Sequence, residues 1–381
     1  MVQVRAGTPF LILMKNKFLE IFKISLITIF LFFVLDLLIG NYIYKKILRK
    51  NYFDKDTNMG TSHPVYHHGN KKNYKTHSAG WGTKKFSFCT DNNGFRNICD
   101  EINKSKNFDI AIIGDSQTAG FGVSYENTFT YLISRKLENK RIANLAVASY
   151  SPAIYFSKIN YLLNKNYKFK EIIVVLDLTD LYDDAIRYKL VNDKVISKKL
   201  DWGNENYSVK EKLMFFLSRN LKVTNHIIIL TDNFLISKDI KKKSIPYWVE
   251  NNPRSSWTYS YDKSWYGKEN FEDVLKISLS NMEKLSSLLM KKNIELSIVV
   301  FPLPGTIKND NENNLHLKIW REFCLSKCKN FFDLMKPFFI LKKKDGYREV
   351  YFKYWIDGDI HLNENGHRLI AENFLKIYKH D

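Results

Sequence analysis

The sequence predicts an α/β fold, a three-layer α/β/α sandwich on a parallel sheet, preceded by one N-terminal transmembrane helix. Three observations carry that expectation. Short apolar runs at 108–113, 142–147, 171–176, 295–301 and 330–334 have the length and content of buried strands. They alternate with segments of helical period, an order that calls for a parallel sheet covered on both faces. Near the start, Ile24 to Tyr44 is almost continuously apolar, and about 20 such residues cross a bilayer.

That N-terminal stretch is interrupted only by Ser25, Thr28, Asp36, Gly40 and Asn41. No small-x-small cleavage pattern follows it, so a retained anchor over 24–44 is expected rather than a removed leader. Lys15, Lys17 and Lys23 precede it, and Lys45, Lys46, Arg49 and Lys50 follow, so the basic residues do not orient it. Met14 opens a more natural start than Met1, which makes the first thirteen residues an extension, and 1–23 is expected on the cytoplasmic side. An extracytoplasmic arm over 45–85 then leads to a domain over 86–381. The arm carries His63, His67, His68 and His77 without accompanying carboxylates or cysteines, and no metal is expected there.

Between the first two strand runs, Phe129, Leu132, Ile133 and Leu137 fall on one helical face; before the fourth, Val274, Leu275, Met282, Leu285 and Leu289 mark a longer helix. Both stripes read as core. The segment from Tyr182 to Lys268 is too long for a simple crossover, and a helical insertion or lid near the active-site edge is expected over 182–268. Its Trp202, Trp248, Trp257 and Trp265 form either a satellite core or a saccharide platform.

The four cysteines come as two close pairs, Cys89 with Cys99 and Cys324 with Cys328, and the first pair flanks an Asn-Asn-Gly turn. Two disulfides are expected, which places the globular part outside the cytoplasm. The 59 Lys and Arg against 40 Asp and Glu give a net charge of +19 that is dispersed and without a nucleic-acid motif. Beside an anchor, that balance suits anionic lipid or acidic polysaccharide rather than nucleic acid.

The chemistry begins at Ser116, which follows the first apolar run inside Gly114-Asp115-Ser116-Gln117-Thr118-Ala119-Gly120. A hydroxyl there projects from the carboxyl edge of a parallel strand, where open α/β sheets bind ligands. Serine is a poor nucleophile near neutral pH and needs an imidazole to take its proton and a carboxylate to orient the imidazole. Near the other end, Asp357-Gly358-Asp359-Ile360-His361 supplies both on one loop before a helix. Asp359 is the closer carboxylate and Asp357 the alternative. Taken singly, the first motif also reads as a turn and the second as a helix cap.

Together, the two motifs and their order resemble the SGNH (GDSL-type) hydrolases, over roughly Phe86 to the C-terminus. The resemblance implies a flavodoxin-like α/β/α domain in which Ser116 is the nucleophile, His361 the base and Asp359 its orienting acid. It implies an oxyanion hole at Ser116, at Ser149 in the second block and at Thr179 in the third. Ser149 stands where the family has glycine, and Thr179 where it has asparagine, which puts the third donor in doubt. The implied activity is a serine esterase or O-acyltransferase acting on ester-linked acyl groups, acetyl foremost, of an envelope glycan. No cofactor and no metal are implied. The expected partners are the acylated glycan or another ester, the membrane through the N-terminal helix, and a membrane acyl donor where transfer is the reaction. The expected place is the inner membrane of a bacterium, with the catalytic domain periplasmic or extracellular. The competing expectation is a glycan-binding or assembly protein that keeps the fold without the chemistry.

Overall fold

The computed structural model describes residues 8–44, 58–81, 84–101, 103–198, 220–227, 245–267 and 269–378. The chain divides into two compact units. One comprises residues 1–54 and 204–244, the other 55–203 and 245–381.

In the first unit a helix runs over Thr8–Leu35, widens to a π-turn over Asp36–Gly40 and closes at Asn41–Ile43. Lys17–Ile43 spans 27 residues at a mean hydropathy of 2.4, long and apolar enough to cross a membrane. Asp36, late in this stretch, is buried and accepts from the backbone amides of Val223 at 3.0 Å and Thr224 at 2.7 Å. A carboxylate on the first amides of a helical segment satisfies donors that the helix itself leaves orphaned.

Among its described residues the second unit holds twelve strands: β1 (Gly60–His63), β2 (His67–Asn70), β3 (Lys75–Trp81), β4 (Lys84–Thr90), β5 (Arg96–Asn97), β6 (Asn107–Ile113), β7 (Ile142–Asn144), β8 (Lys168–Leu176), β9 (Tyr188–Val191), β10 (Lys194–Ser197), β11 (Glu295–Val300) and β12 (Asn330–Asp333). Eight form one sheet in the order β12-β11-β8-β6-β7-β5-β4-β3. The five strands from β12 to β7 are parallel, in register at Ile112 with Asn144, Ile113 with Val174, and Val300 with both Leu176 and Asp333. Numbered along the chain, their order is 2-1-3-4-5, the flavodoxin-like arrangement. β6 and β8 are buried on both faces, which is why they read as unbroken apolar runs.

Right-handed crossovers fix the layers. Because β7 and β8 lie on opposite sides of β6, the Phe129–Lys136 helix covers one face and the Pro152–Asn164 helix the other. The Phe271–Lys291 helix joins the latter. The C-terminal Glu364–Tyr378 helix joins the former, its Phe374 ring 4.4 Å from that of Phe332 on β12.

Three features depart from the expectation. The sheet is mixed, because β3, β4 and β5 add an antiparallel edge, and β3 lies within the segment read as a separate arm over 45–85. What binds this edge to the rest is Arg96, fully buried, which donates to the carbonyls of Ser87, Ala119 and Val123 and stacks on Phe88 at 4.1 Å. Secondly, the stretch read as a helical insertion over 182–268 contains the β9–β10 hairpin. Asn192 and Asp193 both take positive φ there, 48° and 63°, the turn that matches the twist of two strands. Thirdly, only Trp257 of the insertion tryptophans enters a satellite core, with Leu181, Tyr182, Ala185, Tyr266 and Val274. Trp248 and Trp265 are exposed, and Trp202 lies outside the described residues.

Both expected disulfides are present, with Cα separations of 5.1 Å for Cys89–Cys99 and 4.7 Å for Cys324–Cys328. The second lies closer than an uninterrupted helix allows, because the helix ends at Cys324 and the chain tightens into a turn. The arm histidines serve packing: His63 stacks on Tyr66 at 3.5 Å, His68 bonds the Ala148 carbonyl, and His77 bonds Ser87.

Candidate active site

The connection that leaves β6 toward β7 and the one that leaves β8 toward β11 run in opposite directions and open a crevice at the carboxyl ends of β6 and β8, the switch point of the sheet. The chain enters it through Gly114. A Cβ at Gly114 would fall 2.2 Å from Thr118 Oγ1 and 3.1 Å from the Val175 carbonyl, so only glycine lets β6 run this close to β8. Asp115 then caps the short Ser116–Ala119 helix by accepting from the Gln117 amide at 2.9 Å, and Ser116 is held at its first position.

The Asp-x-His loop meets it from the other side. Gly358, at φ 74°, turns the chain so that the Asp359 amide bonds the Ile356 carbonyl at 2.9 Å. Asp359 Oδ1 accepts from the His361 amide at 2.9 Å and lies 2.6 Å from His361 Nδ1, while His361 Nε2 lies 2.9 Å from Ser116 Oγ. Asp359, and not Asp357, therefore stands at Nδ1. Gln117 ties the two loops together, donating to the Ile360 carbonyl at 2.9 Å and accepting from the Leu362 amide at 3.3 Å. Ser116 and His361 are both buried.

A residue the sequence reading passed over completes this arrangement. Trp81, the last residue of β3, places its indole Nε1 3.0 Å from His361 Nδ1 with the rings edge to face. An imidazole whose Nδ1 proton points at Asp359 has no lone pair there to accept, so the indole N–H is satisfied by the Asp359 carboxylate, which it also reaches. Burial pushes the Asp359 carboxyl up, but the hydrogen bonds and charge of His361, with the Trp81 N–H, outweigh it and hold the group below the usual carboxylate range.

The three residues expected at the oxyanion hole differ in the donors they offer. Ser149 follows β7 at φ 60°, a left-handed conformation that favours glycine and explains why its position corresponds to one. The amides of Ser116 and Ser149 donate to no acceptor among the described residues. Thr179 differs from the expectation. Its amide donates to Asp177 Oδ1 at 2.6 Å and its hydroxyl also bonds that carboxylate, so its proton is directed at Asp177 rather than toward an ester oxygen.

Behind the serine lies a set of acidic residues that the sequence reading did not connect. Oxygens of Asp115, Asp177 and Asp180 lie within 4.8 Å of one another, all buried. Burial, reinforced by mutual repulsion, raises the pKa values of Asp115 and Asp180 well above the usual range, and burial raises that of Asp177. Asp180 Oδ1 is buried without a hydrogen-bond partner among the described residues. Asp115 Oδ2 is 3.2 Å from Ser116 Oγ, a longer contact than the serine makes to His361. Asp183, one helical turn beyond, is pushed to about 6 by burial, against the pull of Arg254 and Arg187. The spacing of Asp177, Asp180 and Asp183 at every third residue was the available signal.

No family model matches the sequence, and no curated protein matches it. Among solved structures the chain is similar to a member of the lipolytic G-D-S-L family from Veillonella parvula, at 13% identity over 71% of this chain and 98% of that one, with a TM-score of 0.36. It is similar to a psychrotrophic esterase from Pseudoalteromonas sp., at 10% identity over 73% and 100% of the two chains and a TM-score of 0.36. It is likewise similar to an acetylxylan esterase from Geobacillus stearothermophilus, crystallised as a catalytic mutant, at 9% identity over 71% and 93% and a TM-score of 0.39. The chain's own strand order, with the serine after the first parallel strand and the Asp-x-His loop before the last helix, is that of a flavodoxin-like α/β/α fold.

Proposed function

We propose that the protein is a serine-dependent ester hydrolase or acyltransferase. The observation that carries this reading is the run of contacts from Ser116 Oγ to His361 Nε2 at 2.9 Å and from His361 Nδ1 to Asp359 at 2.6 Å. Ser116 Oγ attacks the ester carbonyl carbon as its proton passes to His361 Nε2, and the charge that develops on the carbonyl oxygen is met by the amides of Ser116 and Ser149. Asp359 keeps the imidazole in the tautomer that leaves Nε2 free and stabilises the imidazolium. Collapse breaks the bond to the alcohol, which takes the proton from Nε2, and leaves an acyl-serine. Water or a sugar hydroxyl then attacks the acyl carbonyl, giving its proton to Nε2, and collapse breaks the bond to Ser116 Oγ, which takes that proton back as the acyl group departs as acid or as a new ester.

An acetylated envelope glycan is the substrate that best suits the chain as a whole. The apolar N-terminal helix supports a membrane-held protein, and the two disulfides support an oxidising compartment such as the periplasm. The test is labelling with a serine-directed fluorophosphonate followed by peptide mass analysis, paired with turnover of p-nitrophenyl acetate. Wild-type protein should be labelled at Ser116 and Ser116→Ala should be inert in both assays. Unlabelled wild-type protein, or a Ser116→Ala variant that still turns over ester, would overturn the reading in favour of a binding role.

A further inference from the structure

Two arginines border the oxyanion side of the site, and the ester-cleaving step does not use them. Arg187, which ends the turn before β9, donates from Nη1 to the Ser149 hydroxyl at 3.0 Å and sits with Nε 3.3 Å from Asp183 Oδ1. Arg254 reaches the same carboxylate oxygen from Nη2 at 2.9 Å, and its guanidinium lies 5.0 Å from the Tyr182 ring. Asp183 is 1% exposed in its side chain, Arg254 26% and Arg187 35%. Two cations thus share a single oxygen of one buried carboxylate.

Neither arginine uses the two-pronged pairing that guanidinium and carboxylate normally favour. Arg254 Nε is also buried without an acceptor among the described residues. The pair is under-satisfied on the side away from Asp183, and it carries one more positive charge than its shared counter-ion. Its place is next to the reacting atoms. Arg187 holds the residue whose amide faces the ester oxygen, and Arg254 lies near enough to Asp177 and Asp115 to feel their charge, as His361 also feels Asp177.

We propose that Arg187 and Arg254 form an anion subsite beside Ser149, selecting esters that carry a carboxylate or phosphate close to the scissile bond. Asp183 orients both guanidiniums and leaves their outer N–H groups for the ligand. The proposal rests on the ester-cleaving reading of Ser116. An acetylated sugar acid or sugar phosphate satisfies it, and a neutral acetylated sugar does not.

The full-length protein in detergent is assayed with three acetyl esters: O-acetyl-glucose, O-acetyl-glucuronate and O-acetyl-glucose 6-phosphate. Wild-type protein should favour at least one anionic ester over the neutral one by about tenfold or more in kcat/KM, the better of the two identifying carboxylate or phosphate. Arg187→Gln and Arg254→Gln should lower turnover of that ester at least about tenfold more than turnover of the neutral one, mainly through KM, and Arg254→Lys should restore part of the preference. Near-UV circular dichroism of each variant establishes that it is folded. Equal turnover of all three esters by wild-type protein, or equal losses on all three in folded variants, overturns the subsite.

A second arm separates this outcome from failure of the esterase reading. Inorganic phosphate and free glucuronate are titrated calorimetrically into Ser116→Ala, with and without Arg254→Gln. Arginine-dependent binding there sustains the subsite even when no ester is cleaved, and its absence in both titrations overturns it.

Discussion

The indole Nε1 of Trp81 lies 3.0 Å from Nδ1 of His361, 280 positions away in the chain. The antiparallel edge of the sheet thereby reaches into the proposed Ser116–His361–Asp359 relay. Trp81→Phe keeps the ring and removes only the N–H. Loss of one hydrogen bond to a charged group is expected to lower kcat on p-nitrophenyl acetate by about tenfold with little change in KM. An unchanged kcat would show that the indole has no part in the relay.

The two candidate carboxylates are separable by rate. Asp359→Asn removes the acceptor on Nδ1 and should reduce kcat by roughly 10³–10⁴. Asp357→Asn, outside the relay, should change it less than about threefold. Reversal of these outcomes would reassign the orienting acid.

Thr179 tests the oxyanion hole from the other direction. Because its hydroxyl bonds Asp177, Thr179→Val should destabilise the fold by about 1 kcal/mol, read from chemical denaturation, while leaving kcat within a fewfold. A loss of about 10²–10³ in kcat would instead mark the hydroxyl as a transition-state donor.

The buried acidic set makes stability depend on pH with a definite sign. A carboxyl whose pKa is raised in the folded state stabilises the fold below its unfolded pKa, and that contribution is lost as pH rises through the folded value. Asp115, Asp177 and Asp180 are raised from an ordinary 3.8, and Asp183 to about 6. The melting temperature should therefore fall as pH rises from 5 to 8. Asp180→Asn, which keeps an acceptor for Tyr155, should raise it more at pH 8 than at pH 5, by about 2–4 °C per kcal/mol. A melting temperature that climbs toward pH 8 would contradict the burial of these groups.

Mass analysis without reductant should find no alkylatable thiol, and four after reduction. The double substitution Cys89→Ser with Cys99→Ser should lower stability by about 2–3 kcal/mol, as expected for a short closed loop.

The parts legible in the sequence were those in which residue type and local pattern agree. β6, β8 and β11 are buried on both faces and read as apolar runs, and Ser116 and His361 each lie in a short motif whose chemistry needs a partner of the other's kind. Contacts that depend only on tertiary proximity were not legible. Trp81 is one of several aromatics in a polar arm, and nothing in its neighbours points to a histidine at the far end of the chain. Arg96 looks like a surface cation in a turn, yet three carbonyls and the Phe88 ring hold it in the interior. The β9–β10 hairpin was hidden because its turn uses Asn192 and Asp193 in place of the usual Asn-Gly.

Asp36 bears on the timing of assembly. Its carboxylate sits within the apolar N-terminal helix, where an unpaired charge is unfavourable, and the amides that satisfy it lie 187 and 188 positions later in the chain. At about 5–20 residues per second of synthesis, roughly 10–40 s separate the emergence of the acid from that of its donors. Until then the carboxylate lacks the donors that satisfy it in the folded chain, and the π-turn over Asp36–Gly40 gains its final partners only when the later segment arrives.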